Sequence, residues 1–274
     1  MVRGGRMSFI ITLTTDYGLR DSFAAAMKGV ILSVNPHAQI VDLSHDIAPQ
    51  DIWECAFTLK AAYTSFPRGT VHVAVVDPGV GSGRRPIIVV TESFYFVGPD
   101  NGIFSLIYSE AERIRVHHIT AGHYYLPNPG PTFHGRDIFA PVAAWITKGI
   151  PSGNFGDEIT DFVKLNVPVP KKLPDGIEGH VIHIDRFGNV ITNITYADIQ
   201  ELTPDHKAPG IVTLTFQDKQ IAGLRKFYAE AQPGEPGIII NSSGLLEIFL
   251  YKQNARTALN VKRGDTVLVK HTPA

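Results

Sequence analysis

The sequence predicts an α/β protein: an N-terminal domain with a mostly parallel sheet and helices on both faces, then a small antiparallel β-barrel. Three observations carry this expectation. From Phe9 to Lys148, short apolar β-rich runs alternate with helical patterns, the order of a largely parallel sheet covered on both sides. Between Lys164 and Gly176 the texture changes, and VPVPKKLPDG is proline-rich, basic and without periodicity. Beyond Glu178, six short β-like runs are separated by turns. The domains are therefore expected at residues 7–168 and 176–274.

In chain order, Phe9 to Thr14 is the first strand. Asp21 or Ser22 caps a helix whose apolar face is Phe23, Met27, Val30, Ile31 and Val34, and Asn35-Pro36 stops it. Gln39 to Leu43 is a strand, and Asp51 to Ser65 a second helix ending before Pro67. Val71 to Val76 is apolar at five of six positions, which fits a strand in the middle of a sheet. Ile87 to Thr91 and Phe94 to Val97 are further strands, followed by a short helix from Ile103 and a strand from Arg113 to Ile119. Residues 120–133 form a proline-punctuated loop, and Asp137 to Lys148 is helical, which puts His134 just ahead of a helix start. In the second domain the strands are His180–Ile184, Val190–Ile194, Ile211–Phe216, Gly237–Asn241, Leu245–Leu250 and Thr266–Lys270, with Gly188-Asn189 as a hairpin signal.

Composition narrows the function. The chain has 274 residues, 44% of them hydrophobic and 19% charged, and a formal net charge of −1. Nothing in that balance points to nucleic acid or to an acidic membrane surface. No apolar run approaches the roughly 20 residues needed to span a bilayer. Met7 is read as the biological start. A single cysteine, Cys55, excludes an internal disulfide and a cysteine-cage metal site, and the whole favours the cytoplasm. His117, His118 and His123 cluster in sequence, as do His180 and His183, but neither set has a familiar ligand spacing, so no metal is expected.

The chemistry concentrates in islands at strand ends. VHVAVVDPGVGSGRR, Val71 to Arg85, runs from a buried strand into Asp77, then through Pro78, Gly79, Gly81 and Gly83 to Arg84 and Arg85. A carboxylate at a strand's carboxyl end, beside a glycine-rich loop and a guanidinium, sits where open α/β sheets bind ligands. Gly79-x-Gly81-x-Gly83 is not a dinucleotide fingerprint, because a strand follows it rather than a helix. Pro131-Thr-Phe-His-Gly-Arg-Asp137 is the second island, so Asp77, Arg84 and His134 form a candidate trio of base, cation and proton partner.

Six motifs then occur in order: Thr14-Thr-Asp-Tyr-Gly18, Val76-Asp-Pro-Gly-Val-Gly81 with Arg84, Gly98-Pro-Asp-Asn-Gly102, Thr132-Phe-His-Gly-Arg-Asp137, Phe187-Gly-Asn-Val-Ile-Thr-Asn193 and Asn241-Ser-x-Gly244. The set resembles the S-adenosylmethionine hydroxide adenosyltransferase family, relatives of the fluorinases and chlorinases, from about Ile11 to the C-terminus. The resemblance implies hydrolysis of S-adenosyl-L-methionine to adenosine and L-methionine by attack of water on ribose C5′, with no cofactor. It implies that Asp77, Arg84 and His134 handle the water and that Asp16 holds the ribose hydroxyls. Tyr17, Asp21 and Asn101 belong to the same substrate-binding set. Asp185 and Ser242 lie near the methionine amino and carboxylate groups, and Phe187 and Asn189 in the adenine pocket. It also implies a homotrimer, with substrate between the N-terminal domain of one subunit and the C-terminal domain of the next. The halogenating relatives carry a tyrosine where this chain has Asp77, a departure that favours water over halide. Two other functions are weighed: a chloride-dependent 5′-halogenase of the same fold, and a non-catalytic adenosine- or nucleoside-binding protein.

Overall fold

The computed structural model describes residues 9–202 and 211–272, and the chain divides into two units, one ending at Val167 and one beginning at Pro168. Met7, the expected start, lies outside the described residues.

The first unit runs β1 (Ile10–Thr15), α1 (Phe23–Val34), β2 (Gln39–Ser44), α2 (Ile52–Ala62), β3 (Val71–Val75), β4 (Pro86–Val90), β5 (Tyr95–Pro99), α3 (Ser105–Tyr108), β6 (Arg115–His118), α4 (Ala140–Thr147) and β7 (Glu158–Ile159). Its sheet has the order β2-β1-β3-β5-β4-β6-β7. The β2-β1-β3-β5 block is parallel, and β4, β6 and β7 extend it antiparallel. The strand after the glycine loop is thus β4, as the sequence predicts, and the loop leads into no helix.

Strand alternation sorts side chains to two cores. Val71, Val73 and Val75 pack with Ile11, Leu13 and the α1 and α4 faces, including Met27, Ile31, Val142 and Ile146. Ala74 and Val76 point the other way, against Cys55 and Leu59 of α2 and against Phe96 and Phe104. His72, on that second face, is ringed by Tyr63, Phe66, Phe94 and Phe96 and meets Thr12 Oγ1 at 2.7 Å. Burial pushes its pKa down to about 3, so it is a neutral core residue. His117 is also structural, with Nδ1 on Gly156 O and Nε2 on Ser152 Oγ, both at 3.2 Å.

The second unit runs β8 (Lys171–Leu173), β9 (Gly176–Ile184), β10 (Val190–Thr195), α5 (Tyr196–Glu201), β11 (Ile211–Phe216), β12 (Lys219–Ala222), β13 (Leu224–Arg225), β14 (Pro236–Ile240), β15 (Leu245–Leu250), α6 (Ala255–Leu259) and β16 (Thr266–Thr272). The sheet order is β12-β11-β16-β9-β10-β15-β14-β13, with β8 on β9. All its pairs are antiparallel except β13 with β14, and it curls barrel-like around Val181, Val190, Leu214, Ile238, Leu246, Ile248 and Val267. The short helices α5 and α6 are additions to the sequence reading. Each has a local start signal: Thr195 and Asp198 form a capping box, and Asn254 accepts from Thr257 N at 2.9 Å.

Candidate active site

Register places the first residues of the site. β1 and β3 are parallel with Thr15 opposite Val75, so Asp16 and Asp77 leave the sheet at the same end. From Asp77 the chain must turn back and also meet the loop that carries His134. Gly81 permits both. Its φ of +77° lies in the left-handed region, and a Cβ there would fall 2.3 Å from Pro131 O. The 77–83 loop therefore rests against the start of the second island.

There Asp77, Arg84 and His134 are in contact. Arg84 Nε donates to Asp77 Oδ1 at 3.0 Å, and Nη2 donates to Oδ2. The same Nη2 lies 2.7 Å from His134 Nδ1. The Asp77 and Arg84 side chains are 6% and 9% exposed, and the Arg84 guanidinium carbon lies 5.3 Å from the Phe139 ring centroid. A buried carboxylate is thus paired in a fork, and the cation has an aromatic floor. Arg84 Nη1 is buried without a protein partner among the described residues.

Burial, and then the Arg84 charge, lower the His134 pKa, partly offset by Asp77 and Asp137. His134 is therefore neutral near pH 7. Since a guanidinium can only donate, Nδ1 accepts, and the proton of the neutral ring is assigned to Nε2.

Helical conformation begins at His134, earlier than the sequence reading, and its first turn is a π-turn over Gly135–Phe139. Such insertions recur at functional sites because they re-aim one side chain without ending the helix. Asp137 ties the preceding loop down, accepting from Gly130 N at 2.8 Å and pairing with Arg136.

Beside the trio lies a cavity of about 410 Å³ lined by Asp16, Tyr17, Phe23, Gln50, Asp77, Pro78, Val80, Thr132 and Gly135. Asp16 Oδ2 accepts from Gln50 N at 2.9 Å, leaving Oδ1 without a protein partner among the described residues. Asp21 is exposed, just ahead of α1, and does not line the cavity. Asn101 lies outside the lining too. Its Nδ2 donates to Val76 O at 2.9 Å and its Oδ1 accepts from Ile103 N at 3.2 Å, so it braces the strand end that delivers Asp77. Phe23 and Gln50 join the lining without any local sequence signal, one being a helix-face Phe and the other a loop Gln.

The second unit has its own cavity, of about 660 Å³, lined by Asp185, Phe187, Asn189, Tyr228, Phe249, Leu250, Tyr251, Lys252, Gln253 and Asn254. Asp185 organises the β9–β10 turn. Its Oδ1 accepts from Phe187 N and Asn189 N at 2.9 and 2.8 Å, and its Oδ2 from Asn189 Nδ2 at 3.0 Å. The turn pushes Phe187 out to 76% exposure. Gly188 is needed there, because a Cβ would lie 2.2 Å from the Asn254 side chain. Ser242 sits exposed on the 241–244 turn and is not among the lining residues. Tyr228 and Phe249, absent from the predicted set, form an edge-to-face pair 5.0 Å apart.

Among the described residues, no group of three or more His, Cys, Asp or Glu is placed to hold a metal ion, and no helix is long and apolar enough to cross a membrane.

Comparison with known proteins gives a consistent result. The SAM hydroxide adenosyltransferase N-terminal domain is matched over residues 11–156, and the C-terminal domain of the same family over 179–268. A protein of Methanocaldococcus jannaschii named (R)-S-adenosyl-L-methionine hydrolase is 38% identical, covering 94% of each chain. One of the same name from Thermus thermophilus is 35% identical over 92% of this chain and 96% of its own. The crystal structure of an uncharacterized conserved protein from Thermotoga maritima superposes with a TM-score of 0.89, at 33% identity over 95% of this chain and all of that one.

Proposed function

The chain belongs to the SAM hydroxide adenosyltransferase family, and we propose that it hydrolyses S-adenosyl-L-methionine to adenosine and L-methionine by attack of water on ribose C5′. The observation that carries this is the carboxylate–guanidinium–imidazole contact of Asp77, Arg84 and His134, in which Asp77 lines a cavity that Asp16 also lines.

A sulfonium needs no acid to leave. The C5′–S bond breaks with its electron pair on sulfur, giving a neutral thioether, while the O–C5′ bond forms on the opposite face. The protein's task is therefore the nucleophile. Asp77 accepts the proton that the attacking water gives up. His134 does not compete for that proton, because its acceptor nitrogen is engaged by Arg84. It holds Arg84, which holds Asp77. Alignment behind C5′ and exclusion of bulk water supply the rest, since an anion-like nucleophile meeting a cation loses charge at the transition state.

In this reading residues 7–168 carry the chemistry and 176–274 the nucleoside pocket. Asp16 takes the ribose hydroxyls, with Tyr17 beside it in the cavity wall and Asp21 and Asn101 acting from outside that wall. Asp185 and Ser242 take the amino-acid end, and Phe187 and Asn189 the adenine; Asp185, Phe187 and Asn189 share one cavity wall with Tyr228 and Tyr251. The assembly is a cytoplasmic homotrimer using no cofactor, in which the catalytic unit of one subunit meets the nucleoside unit of its neighbour. Uncovered apolar side chains support the assembly: Phe187 on one cavity wall, and Leu19, 73% exposed, next to the residues of the other.

The test is incubation with S-adenosyl-L-methionine in ¹⁸O-labelled water with chloride present, followed by chromatography and mass spectrometry. Adenosine labelled at the 5′ oxygen, together with methionine, is expected. A 5′-chloro product, or unchanged substrate alongside tight adenosine binding, would overturn the proposal.

A further inference from the structure

Gly135 raises a question that its backbone does not answer. Its φ is not in the left-handed region, so conformation alone does not require glycine. Space does. A Cβ on Gly135 would lie 2.6 Å from the Tyr17 hydroxyl oxygen, and 3.3 Å from both Met27 Sδ and a Phe133 ring carbon. The Tyr17 hydroxyl therefore occupies the room that any other residue at 135 would fill.

The hydroxyl is held there from two sides. The Tyr17 ring packs on Phe23 at 5.7 Å and edge-on to Phe133 at 5.7 Å, and those two rings meet each other at 5.3 Å. Tyr17, Gly135 and Asp77 line the same cavity, and Gly135 is next in sequence to His134. The charges of Asp16, Asp77 and Arg84 all act on Tyr17, and burial with the two carboxylates keeps its proton firmly on. No protein partner of the hydroxyl is found among the described residues.

We propose that the Tyr17 hydroxyl is the second anchor of the attacking water, facing Asp77 across the cavity, and that Gly135 is glycine to leave it that place. This rests on the hydrolase reading above. A water between an acceptor and a donor is fixed in orientation. It gives one hydrogen to Asp77, receives one from Tyr17, and keeps a lone pair for C5′. As the proton moves toward Asp77, the Tyr17 donor stabilises the hydroxide-like oxygen. A ring without the hydroxyl would wall the cavity equally well and do neither.

The experiment is steady-state kinetics on wild type, Tyr17→Phe, Gly135→Ala and the double variant, with melting temperatures to confirm folding. Tyr17→Phe is expected to lower kcat tenfold or more, with KM within about twofold. Gly135→Ala is expected to lower kcat by displacing the hydroxyl. In the Tyr17→Phe background that second loss should largely vanish, because the clashing atom is gone. An unchanged kcat in Tyr17→Phe, or a rise in KM alone, overturns the proposal, as does full additivity of the two changes. If wild type itself releases no adenosine, the hydrolase reading falls and this proposal with it; if wild type turns over and Tyr17→Phe matches it, only the role of Tyr17 is lost.

Discussion

Replacing Asp77 by asparagine separates chemistry from architecture in one residue. The change keeps shape and removes charge. In the native fork, Arg84 Nε and Nη2 each donate to a different carboxylate oxygen. An asparagine offers one acceptor, and its amide then faces a guanidinium N–H with another donor. Both side chains are at most 9% exposed, so the guanidinium is left buried and half-paired. Breaking a buried pair by removing one partner destabilises by about 3–5 kcal/mol. At roughly 2–4 °C per kcal/mol for a chain of this size, Tm should fall by roughly 6–20 °C. The effect on turnover is separate. Loss of a positioned general base is worth about 10²–10⁴ in rate, or about 2.7–5.4 kcal/mol of barrier. Substrate affinity, read by calorimetry, should change little, because the rest of the binding set is untouched. A double variant, Asp77→Asn with Arg84→Met, removes both charges. It should regain most of the lost Tm and none of the turnover. If Asp77→Asn keeps more than about a tenth of wild-type kcat, a loss well below that expected of a general base, Asp77 is not the proton acceptor. If the double variant recovers turnover, the trio acts only by holding the loop.

Three further outcomes follow from the same geometry. His134 has a pKa lowered below 6.5 in the fold, so below pH 6.5 the unfolded chain takes up a proton that the folded one refuses. Stability should fall as the pH drops from 6.5 toward the lowered value and level off beneath it; His134→Gln should remove that component from a Tm-against-pH curve, and a curve unchanged by the substitution would contradict the assignment. Gly81→Ala forces a left-handed alanine whose Cβ meets Pro131 O at 2.3 Å, so it should destabilise by more than the roughly 1–2 kcal/mol of backbone strain alone and depress kcat by shifting the His134 loop; wild-type kinetics in this variant would show that the two loops are independent. Glu247, 3% exposed, accepts from Tyr228 Oη at 2.9 Å and Asn241 Nδ2 at 3.2 Å; Glu247→Ala frees both side chains and should raise KM through the loosened Tyr228 wall while leaving kcat within about twofold, and an unchanged KM would show that this wall does not hold substrate.

The fold was legible where the pattern was local. Val71 to Val76 announces a central strand, and the helix expected from Asp51 does start there, with Asp51 accepting from Glu54 N at 2.9 Å. The short β12 and β13 were not legible: Lys219–Ala222 and Leu224–Arg225 are too brief and too polar to show period two, and pairing with β11 and β14 makes them strands. Helix start at His134 was missed because the π-turn breaks the 3.6-residue spacing on which the reading relied. In the site, the motifs named Asp77, Arg84 and His134, but nothing in their spacing says that Gly81 meets Pro131, and that contact brings the islands together. Asn101 shows the converse limit. An Asn-Gly turn reads alike whether the amide faces a ligand or, as here, Val76 O and Ile103 N. Tyr228 and Phe249 carry no motif of their own, and only barrel curvature sets them beside Phe187.

In the proposed reaction, the identity of residue 77 bears on which nucleophile the cavity accepts. Two like charges about 4 Å apart repel by about 4 kcal/mol at an effective dielectric near 20, which is close to a thousandfold in occupancy. Arg84 offsets part of this repulsion, but its Nε and Nη2 are committed to Asp77, and Nη2 also serves His134, so neither is turned toward an incoming halide. A halide has no proton with which to satisfy the carboxylate it would displace from water. A water molecule has two. The pairing of Asp77 with Arg84 therefore does not make the cavity a general anion site. It makes the carboxylate a fixed acceptor whose remaining lone pairs can be met only by something that brings its own hydrogen. In the proposed reaction the preference for water thus rests on the sign and hydrogen count of one side chain, which a guanidinium in contact with His134 pairs with.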